Sequence, residues 1–183
     1  MDKKVYIFFA DGFEEVEGLT VVDLMRRAGI EIVTVSIKDT REVTSSHSIA
    51  LLTDKCFMDV DFSDGDMLVL PGGLGGTKRL AACEPLRELL KNFHNKGGKV
   101  AAVCAGPTVL ADLGLLKGRR ATAYPSCMDG LKDAIPSEEK VVVDGNVTTS
   151  RGLGTSIDFA LSLIGQLLGE EKAKEVAASI VYA

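Results

Sequence analysis

Three short stretches of this sequence place residues capable of chemistry beside small ones. Cys104 follows the apolar run "KVAAV" and is followed at once by Ala-Gly-Pro. Two glycines, Gly72 and Gly73, follow the apolar run "MLVLP". The stretch "DGFEEVEG", after the first apolar run of the chain, contains Glu17. A thiol, accessible backbone amides and a carboxyl group are the parts of a nucleophilic site, provided that the fold brings them together.

Cys104 is placed where a buried strand is expected to turn into a helix. If the strand 99–103 passes into a helix at Gly106-Pro107, the thiol lies beside the N-terminus of that helix, because proline suits a first helical turn. Free N–H groups and the positive end of the helix dipole favour a thiolate over a thiol. The alternative is an inert core cysteine; the position and the small neighbour Ala105 favour a functional one.

The glycine-rich stretch "LPGGLGGTK" (70–78) invites comparison with phosphate-binding loops. It fits neither the Walker pattern nor G-x-G-x-x-G, since Lys78 follows Thr77 rather than a glycine. Backbone N–H groups of Gly72 and Gly73 instead suit an oxyanion hole, which needs donors but no side chains. A plain glycine turn is the alternative.

Among the acidic residues of "DGFEEVEG", Glu17 is the one expected to act. Glu14 and Glu15 lie where acidic side chains ordinarily complement the dipole of a helix N-terminus. Glu17 lies further along and is expected to be desolvated. A buried carboxyl group tends to keep its proton, which it can donate to a thiolate without help from a histidine.

Composition and charge narrow the class of protein. The chain has 183 residues, read as one domain over 1–183, and a net charge of -5 with scattered basic residues, which argues against nucleic acid as a partner. No apolar run is long enough for a membrane span. Four cysteines without a C-x-x-C pair and two histidines far apart predict no metal site, and reduced cysteines predict a cytoplasmic location.

Strand and helix patterns alternate along the chain, which predicts an α/β fold with a doubly wound, mostly parallel sheet and helices on both faces. In such sheets ligands bind at the carboxyl ends of strands, where the three stretches lie. The predicted strands are 4–10, 30–36, 66–73 and 99–103, with a hairpin over 141–150 and a short strand in the irregular segment 38–62. The predicted helices are 14–29, 84–95, one after Cys104, 154–169 and 170–180.

The stretches "FFADGFEEVE", "LVLPGG", "AAVCAGPTVL" and "TTSRGLGTSIDFAL" resemble the ThiJ/PfpI superfamily, in particular the branch of the Parkinson's-associated protein deglycase and its bacterial relatives. The likeness runs over essentially the whole chain, with the motifs in the same order. It implies a flavodoxin-like fold, a homodimer and cofactor-free chemistry.

The resemblance also implies a role for each site residue. Cys104 matches the family's nucleophile on a strained elbow, and Glu17 matches the acid that hydrogen-bonds it and lowers its pKa. Gly72, Gly73 and the backbone of Ala105 match the oxyanion donors. The stretch 150–152, which contains Arg151, matches a loop bordering the site.

The implied function is a cysteine-dependent glyoxalase or protein deglycase acting on small reactive carbonyls or glycated substrates. The alternative is a non-enzymatic redox sensor or holdase chaperone that uses oxidation of the same cysteine.

Tyr124 stands where better-known members carry a histidine, which favours the alternative, because a phenol with a pKa near ~10 is a poor base at neutral pH. His47 stands where relatives often place an arginine reaching the site across the dimer, so it is either an anion-binding or proton-shuttling residue or a solvated side chain. The protease branch of the superfamily usually has a histidine directly after the nucleophile; Ala105 stands there in this chain, which argues against a peptidase.

Overall fold

The computed structural model describes residues 3–182 of the chain. Strands and helices alternate along most of this length. The strands are β1 (Lys4–Phe9), β2 (Glu31–Ser36), β3 (Glu42–Thr44), β4 (Ala50–Leu52), β5 (Lys55–Cys56), β6 (Met67–Leu70), β7 (Lys99–Val103), β8 (Arg120–Ala121), β9 (Ile135–Pro136), β10 (Val141–Asp144) and β11 (Val147–Ser150). The helices are α1 (Glu15–Arg27), α2 (Leu74–Ala82), α3 (Glu84–Asn95), α4 (Pro107–Asp112), α5 (Ser156–Leu168) and α6 (Glu170–Ser179).

One seven-stranded sheet forms the centre of the molecule, in the order β10-β11-β7-β6-β1-β2-β5. All neighbouring strands in it are parallel except the edge pair β10 and β11, the hairpin expected over 141–150. Counting only the long parallel strands, the order β2-β1-β6-β7-β11 is the 2-1-3-4-5 arrangement of flavodoxin-like sheets. The predicted fold class is confirmed.

Alternating residues of the strands supply two separate cores, because successive side chains of a strand point to opposite faces of the sheet. On β1, Val5, Ile7 and Phe9 pack with α1, α5 and α6. Tyr6 and Phe8 of the same strand pack on the other face, with α2, α3 and α4. The strands are therefore apolar throughout, as expected of a parallel sheet covered on both sides.

Strand order determines where the chemistry-bearing residues meet. Strands β6 and β7 are direct neighbours, and β6 also pairs with β1, so the carboxyl ends of all three lie side by side. The order reverses between β1 and β6, which is where a crevice opens in this type of sheet. The segments that follow these strands contain Glu17, Gly72 and Cys104.

Helix α2 differs from the predictions. It begins at Leu74, directly after the glycine pair, whereas the sequence predicted no helix between that pair and residue 84. The irregular segment 38–62 contains the short strand β4, which confirms the strand predicted there, together with its hairpin partner β3 and the short edge strand β5. No helix within residues 3–182 is both long and apolar enough to cross a membrane.

Candidate active site

The backbone at Cys104 has a conformation that L-residues rarely adopt. Its φ angle is +63°, in the left-handed region, which is unfavourable for any residue with a Cβ atom. Two hydrogen bonds hold it there: its N–H donates to the carbonyl of Ser150 at 3.0 Å, and its carbonyl accepts from the N–H of Tyr124 at 2.9 Å. Strain of this kind at the end of a strand presents a nucleophile to a cleft.

Glu17 lies beside the thiol and is almost fully buried, with 1% of its surface exposed. Its carboxyl group hydrogen-bonds Cys104, and Oε2 accepts the N–H of Gly72 at 2.9 Å. The sequence assigned the Gly72 N–H to an oxyanion hole, but in the structure the carboxyl group of Glu17 occupies that donor. Gly72 instead positions Glu17. A methyl group on its Cα would collide with that carboxyl and with the Cys104 side chain.

Two backbone amides face the sulfur. The N–H groups of Gly73 and Ala105 both hydrogen-bond the thiol of Cys104. Gly73 has φ +88°, and a Cβ atom there would overlap the backbone of Phe13 and Glu14, so only glycine fits. The amides of Gly73 and Ala105 therefore form the pair of donors that an oxyanion hole requires.

The thiol and the carboxyl group form one buried acidic pair. Burial raises the pKa of Glu17 to about 7, and the negative charge of Glu14 adds to the effect, against hydrogen bonds from Cys104 and Gly72. Burial also raises the pKa of Cys104 to about 12, as does the neighbouring Glu17 carboxylate, while the amides of Gly73 and Ala105 lower it. The sequence reasoning applied burial to Glu17 alone and expected a lowered thiol pKa. In the structure, burial acts on both groups, so the pair gains its first negative charge near pH 7.

A cleft of about 320 Å³ opens over this pair. Cys104, Glu17, Gly73 and Ala105 contribute to its wall. The remaining lining residues, most of which the sequence did not single out, are Glu14, Leu74, Tyr124, Ser126, Cys127 and Leu153.

Two residues expected at the site do not line this cleft within one chain. His47 is exposed, and its Nδ1 lies 2.7 Å from Oε1 of Glu15. The guanidinium of Arg151 donates to the carbonyl of Glu138 at 3.3 Å instead of entering the cleft. Tyr124 does line the cleft, as its place in the sequence predicted, and has 49% of its surface exposed.

One cluster of possible metal ligands occurs within residues 3–182. A carboxylate oxygen from each of Glu14 and Glu15 and a ring nitrogen of His47 lie within 4.8 Å of one another. The hydroxyl of Ser46 already bonds all three side chains, at 3.1 to 3.3 Å. Sequence spacing does not reveal this cluster, because His47 is far along the chain from the two acids. The expectation of no metal site stays a prediction.

The motifs around this cleft match a known family. A family model described as the DJ-1/PfpI family matches residues 3–166. This chain belongs to the DJ-1/PfpI family. Protein dj-1beta of Drosophila melanogaster is 37% identical over 185 residues, covering 100% of this chain and 99% of the relative. The Parkinson disease protein 7 homolog of Danio rerio is 36% identical, covering 98% and 97% of the two chains.

Solved structures of DJ-1/PfpI proteins share the fold closely. The oxidized DJ-1 of Toxoplasma gondii superposes with a TM-score of 0.95 at 37% identity, over 99% of each chain. The predicted family is therefore confirmed, and the fold is that of DJ-1 proteins. Membership supports a stress-response function of the DJ-1 type.

Proposed function

We propose that this protein is a cysteine-dependent enzyme of the glyoxalase or deglycase type, in which Cys104 attacks small reactive carbonyl compounds. The observation that carries the proposal is the strained Cys104, which contacts both a buried acid and two backbone amides at the base of a cleft. The acid holds or releases one proton, and the amides are donors for an oxyanion. No cofactor enters this chemistry.

The first step uses one proton of the pair. Above about pH 7 the pair has lost one proton, and the negative charge lies mainly on the Glu17 carboxylate. In the reactive form the thiol proton has moved to Glu17, so that Sγ of Cys104 holds the negative charge. The thiolate adds to the aldehyde carbon of an α-oxoaldehyde, the C=O electron pair moves to oxygen, and the oxygen takes the Glu17 proton to give a hemithioacetal. The N–H groups that bond the sulfur are positioned to donate to an oxygen on the carbon bound to it.

Glu17 can then act as the base, in place of the histidine that better-known family members carry at the position of Tyr124. As a carboxylate, it removes the proton from the carbon that bears the new hydroxyl and returns it to the neighbouring carbonyl carbon, while the proton of the new hydroxyl passes to the oxygen of that carbonyl. The product is the thioester of a 2-hydroxy acid, which water hydrolyses to free Cys104. A pKa of about 7 is well matched to this task, since a base works best when its pKa lies near the working pH. Tyr124 in the histidine position is therefore compatible with turnover.

Methylglyoxal turnover tests the proposal. Wild-type protein is expected to convert methylglyoxal to lactate, whereas Cys104→Ser has no activity above background. Cys83→Ser is the matched control, because Cys83 lies at the start of α3 and does not line the cleft. Equal turnover by wild type and Cys104→Ser would remove Cys104 from the reaction and contradict the proposal.

A redox function of the same residue is the second candidate. The contacts that favour a thiolate also favour the sulfinate formed by stepwise oxidation of Cys104, and Tyr124 in place of histidine is neutral for this chemistry. Absence of methylglyoxal turnover, together with selective oxidation of Cys104 by peroxide and retained suppression of aggregation, would favour a redox sensor or holdase chaperone.

We also propose that the protein forms a homodimer. An open groove of about 730 Å³ follows the exposed side of α1 and the C-terminal end of α6. Val16, Leu19 and Val181 expose apolar side chains there, and such clusters commonly mark protein contacts. Multi-angle light scattering is expected to give twice the mass of one chain, and Leu19→Asp is expected to reduce it to the mass of one.

A cytoplasmic location is proposed from the cysteines. All four, Cys56, Cys83, Cys104 and Cys127, are free thiols in the structure. Unpaired cysteines persist in reducing compartments, where glutathione keeps them reduced.

A further inference from the structure

Two thiols share the cleft that contains Glu17. Cys104 and Cys127 both contribute to its wall, and both are free and partly exposed. The other two cysteines lie elsewhere, Cys56 at the end of β5 and Cys83 between α2 and α3. The carbonyl chemistry proposed above gives Cys127 no part. A small oxidant that reaches Cys104 through this cleft therefore meets a second thiol in the same wall.

Hydrogen bonds of the backbone tie Cys127 to the nucleophile. The carbonyl of Cys104 accepts the N–H of Tyr124 at 2.9 Å, and the carbonyl of Tyr124 accepts the N–H of Cys127 at 2.8 Å. Two hydrogen bonds thus link two cysteines that are far apart in the sequence. Their side chains reach the cleft from different sides, since Cys104 packs against the core on the α1 and α5 face of the sheet and Cys127 against the core on the other face.

The segment that carries Cys127 can move at low cost. It is a short 3₁₀ turn, Pro125–Gly130, and none of its residues is buried. A 3₁₀ turn has poorer hydrogen-bond geometry than an α-helix, and exposed segments of this kind open locally before the core does. A disulfide needs its sulfur atoms about 2.0 Å apart, so this turn has to shift towards Cys104 to form one.

Oxidation of Cys104 by a hydroperoxide creates the group that a second thiol attacks. The Cys104 thiolate attacks one oxygen of the peroxide, the O–O bond breaks, and the leaving oxygen takes the Glu17 proton and departs as water or an alcohol. Sγ then carries a hydroxyl group, and Glu17 is a carboxylate. Such a sulfenic acid either condenses with a thiol to a disulfide or is oxidised further to sulfinic acid, which is ordinarily irreversible.

We propose that Cys127 is the resolving residue of Cys104, and that the two form an intramolecular disulfide after a hydroperoxide has oxidised Cys104. The Cys127 sulfur attacks Sγ of the sulfenic acid, the S–O bond breaks, and the hydroxyl leaves as water with the Cys127 proton. Two equivalents of a thiol reductant return both cysteines to thiols and become a disulfide themselves. The nucleophile is thereby protected from sulfinic acid. The inference rests on Cys104 as the reactive thiol of the function proposed above, but not on turnover of a carbonyl compound.

Peptide mass spectrometry detects this disulfide without any variant. Reduced protein is treated with about one equivalent of hydrogen peroxide, the remaining thiols are blocked with N-ethylmaleimide, and the protein is digested without reductant. More than half of the oxidised Cys104 is expected in a peptide linked to Cys127, which dithiothreitol returns to free thiols. A non-reducing denaturing gel is expected to show the mass of one chain. Cys104 linked to another cysteine or to a second chain, or found only as sulfinic acid, would overturn the proposal.

Removing the second thiol tests its protective effect. Cys127→Ser and Cys127→Ala are each expected to increase sulfinic acid at Cys104 at least fivefold at the same peroxide dose. Cys83→Ser, which removes a thiol outside the cleft, is the matched control and is expected to leave the amounts of disulfide and sulfinic acid unchanged. Equal sulfinic acid in the wild type and both Cys127 variants would overturn the protective role. Absence of methylglyoxal turnover in a protein that forms the disulfide contradicts the proposed function alone, since the disulfide is measured without a carbonyl substrate.

Discussion

Replacing Glu17 by glutamine is expected to make the protein more stable at alkaline pH while reducing its chemistry. The pKa of Glu17 rises from 4.5 to about 7 in the folded protein, chiefly through burial. Each unit of difference corresponds to about 1.4 kcal/mol, so ionising this residue costs about 3 kcal/mol more in the folded than in the unfolded chain. Glutamine has nearly the same shape and cannot ionise.

The sign of the pH dependence follows from proton release. The unfolded chain loses the Glu17 proton above about pH 4.5, but the folded chain keeps it until about pH 7. The free energy of unfolding of the wild type therefore falls between pH 4.5 and pH 7, and it does not recover above pH 7. In Glu17→Gln this pH-dependent loss of stability is absent. The variant's carbonyl oxygen can still accept the Gly72 N–H, so the difference in stability, variant minus wild type, is expected to rise by about 3 kcal/mol from pH 4.5 to pH 8.

Urea unfolding followed by circular dichroism measures this difference, at pH 4.5, 5.5, 6.5 and 8, fixed protein concentration and constant reductant. Glu15→Gln is the matched control from the same helical turn. Burial raises the pKa of Glu15, but hydrogen bonds from its own backbone, Ser45 and His47 outweigh this and lower it. Its stabilisation is lost only as pH falls below about 4.5, so the stability difference between Glu15→Gln and wild type is expected to stay nearly constant from pH 4.5 to pH 8. Parallel stability curves for wild type and Glu17→Gln would show that Glu17 does not keep its proton as described.

Three further changes test the site. Gly72→Ala places a methyl group against the Glu17 carboxyl and the Cys104 thiol, so it is expected to slow iodoacetamide labelling of Cys104 at least tenfold and to destabilise the fold by about 1–3 kcal/mol. Gly154→Ala is the control, because a methyl group there meets open space. Equal labelling rates in the two variants would contradict the packing at Gly72. Cys127 lines the same cleft but lacks the amide contacts of Cys104. Mass spectrometry after treatment with increasing peroxide concentrations is therefore expected to find Cys104 oxidised first, in the wild type and in Cys127→Ser. Oxidation of Cys127 before Cys104 would contradict the choice of nucleophile. Tyr124→His supplies a base with a pKa near ~6.5 and is expected to raise methylglyoxal turnover several-fold at pH 7, and no increase would show that Glu17 alone is sufficient.

Periodicity along the chain was enough to predict the parallel sheet, because its strands are buried on both faces and are apolar without interruption. The position of the site followed from the same pattern, since strand ends in such a sheet meet at one edge. Helix α2 was missed, because Gly75 and Gly76 lie in its first turn and glycine is a poor helix former. Glycine is required at position 76 because Gly76 packs directly against the backbone of Phe13, a contact that no local pattern reveals.

The electrostatics of the site depended on contacts that only the fold defines. The sequence indicated that Gly72 and Gly73 offer N–H groups, but not that Gly72 donates to Glu17 while Gly73 donates to Cys104. Nor could it show that Cys104 is itself desolvated, which raises the pKa of a thiol. Glu14 was read as an ordinary acidic residue of a first helical turn, and its place in the cleft wall became clear only from the structure.

The pH dependence of Cys104 alkylation by iodoacetamide tests the shared proton of Cys104 and Glu17 most directly. In the wild type the rate is expected to rise and level off near pH 7, where the buried pair gains its one negative charge. In Glu17→Gln no carboxyl group titrates, so the rate is expected to keep rising above pH 7 towards the pKa of the thiol alone. Identical profiles for the two proteins, both levelling off near the ordinary thiol pKa of about 8.5, would show that the two groups do not act as a pair.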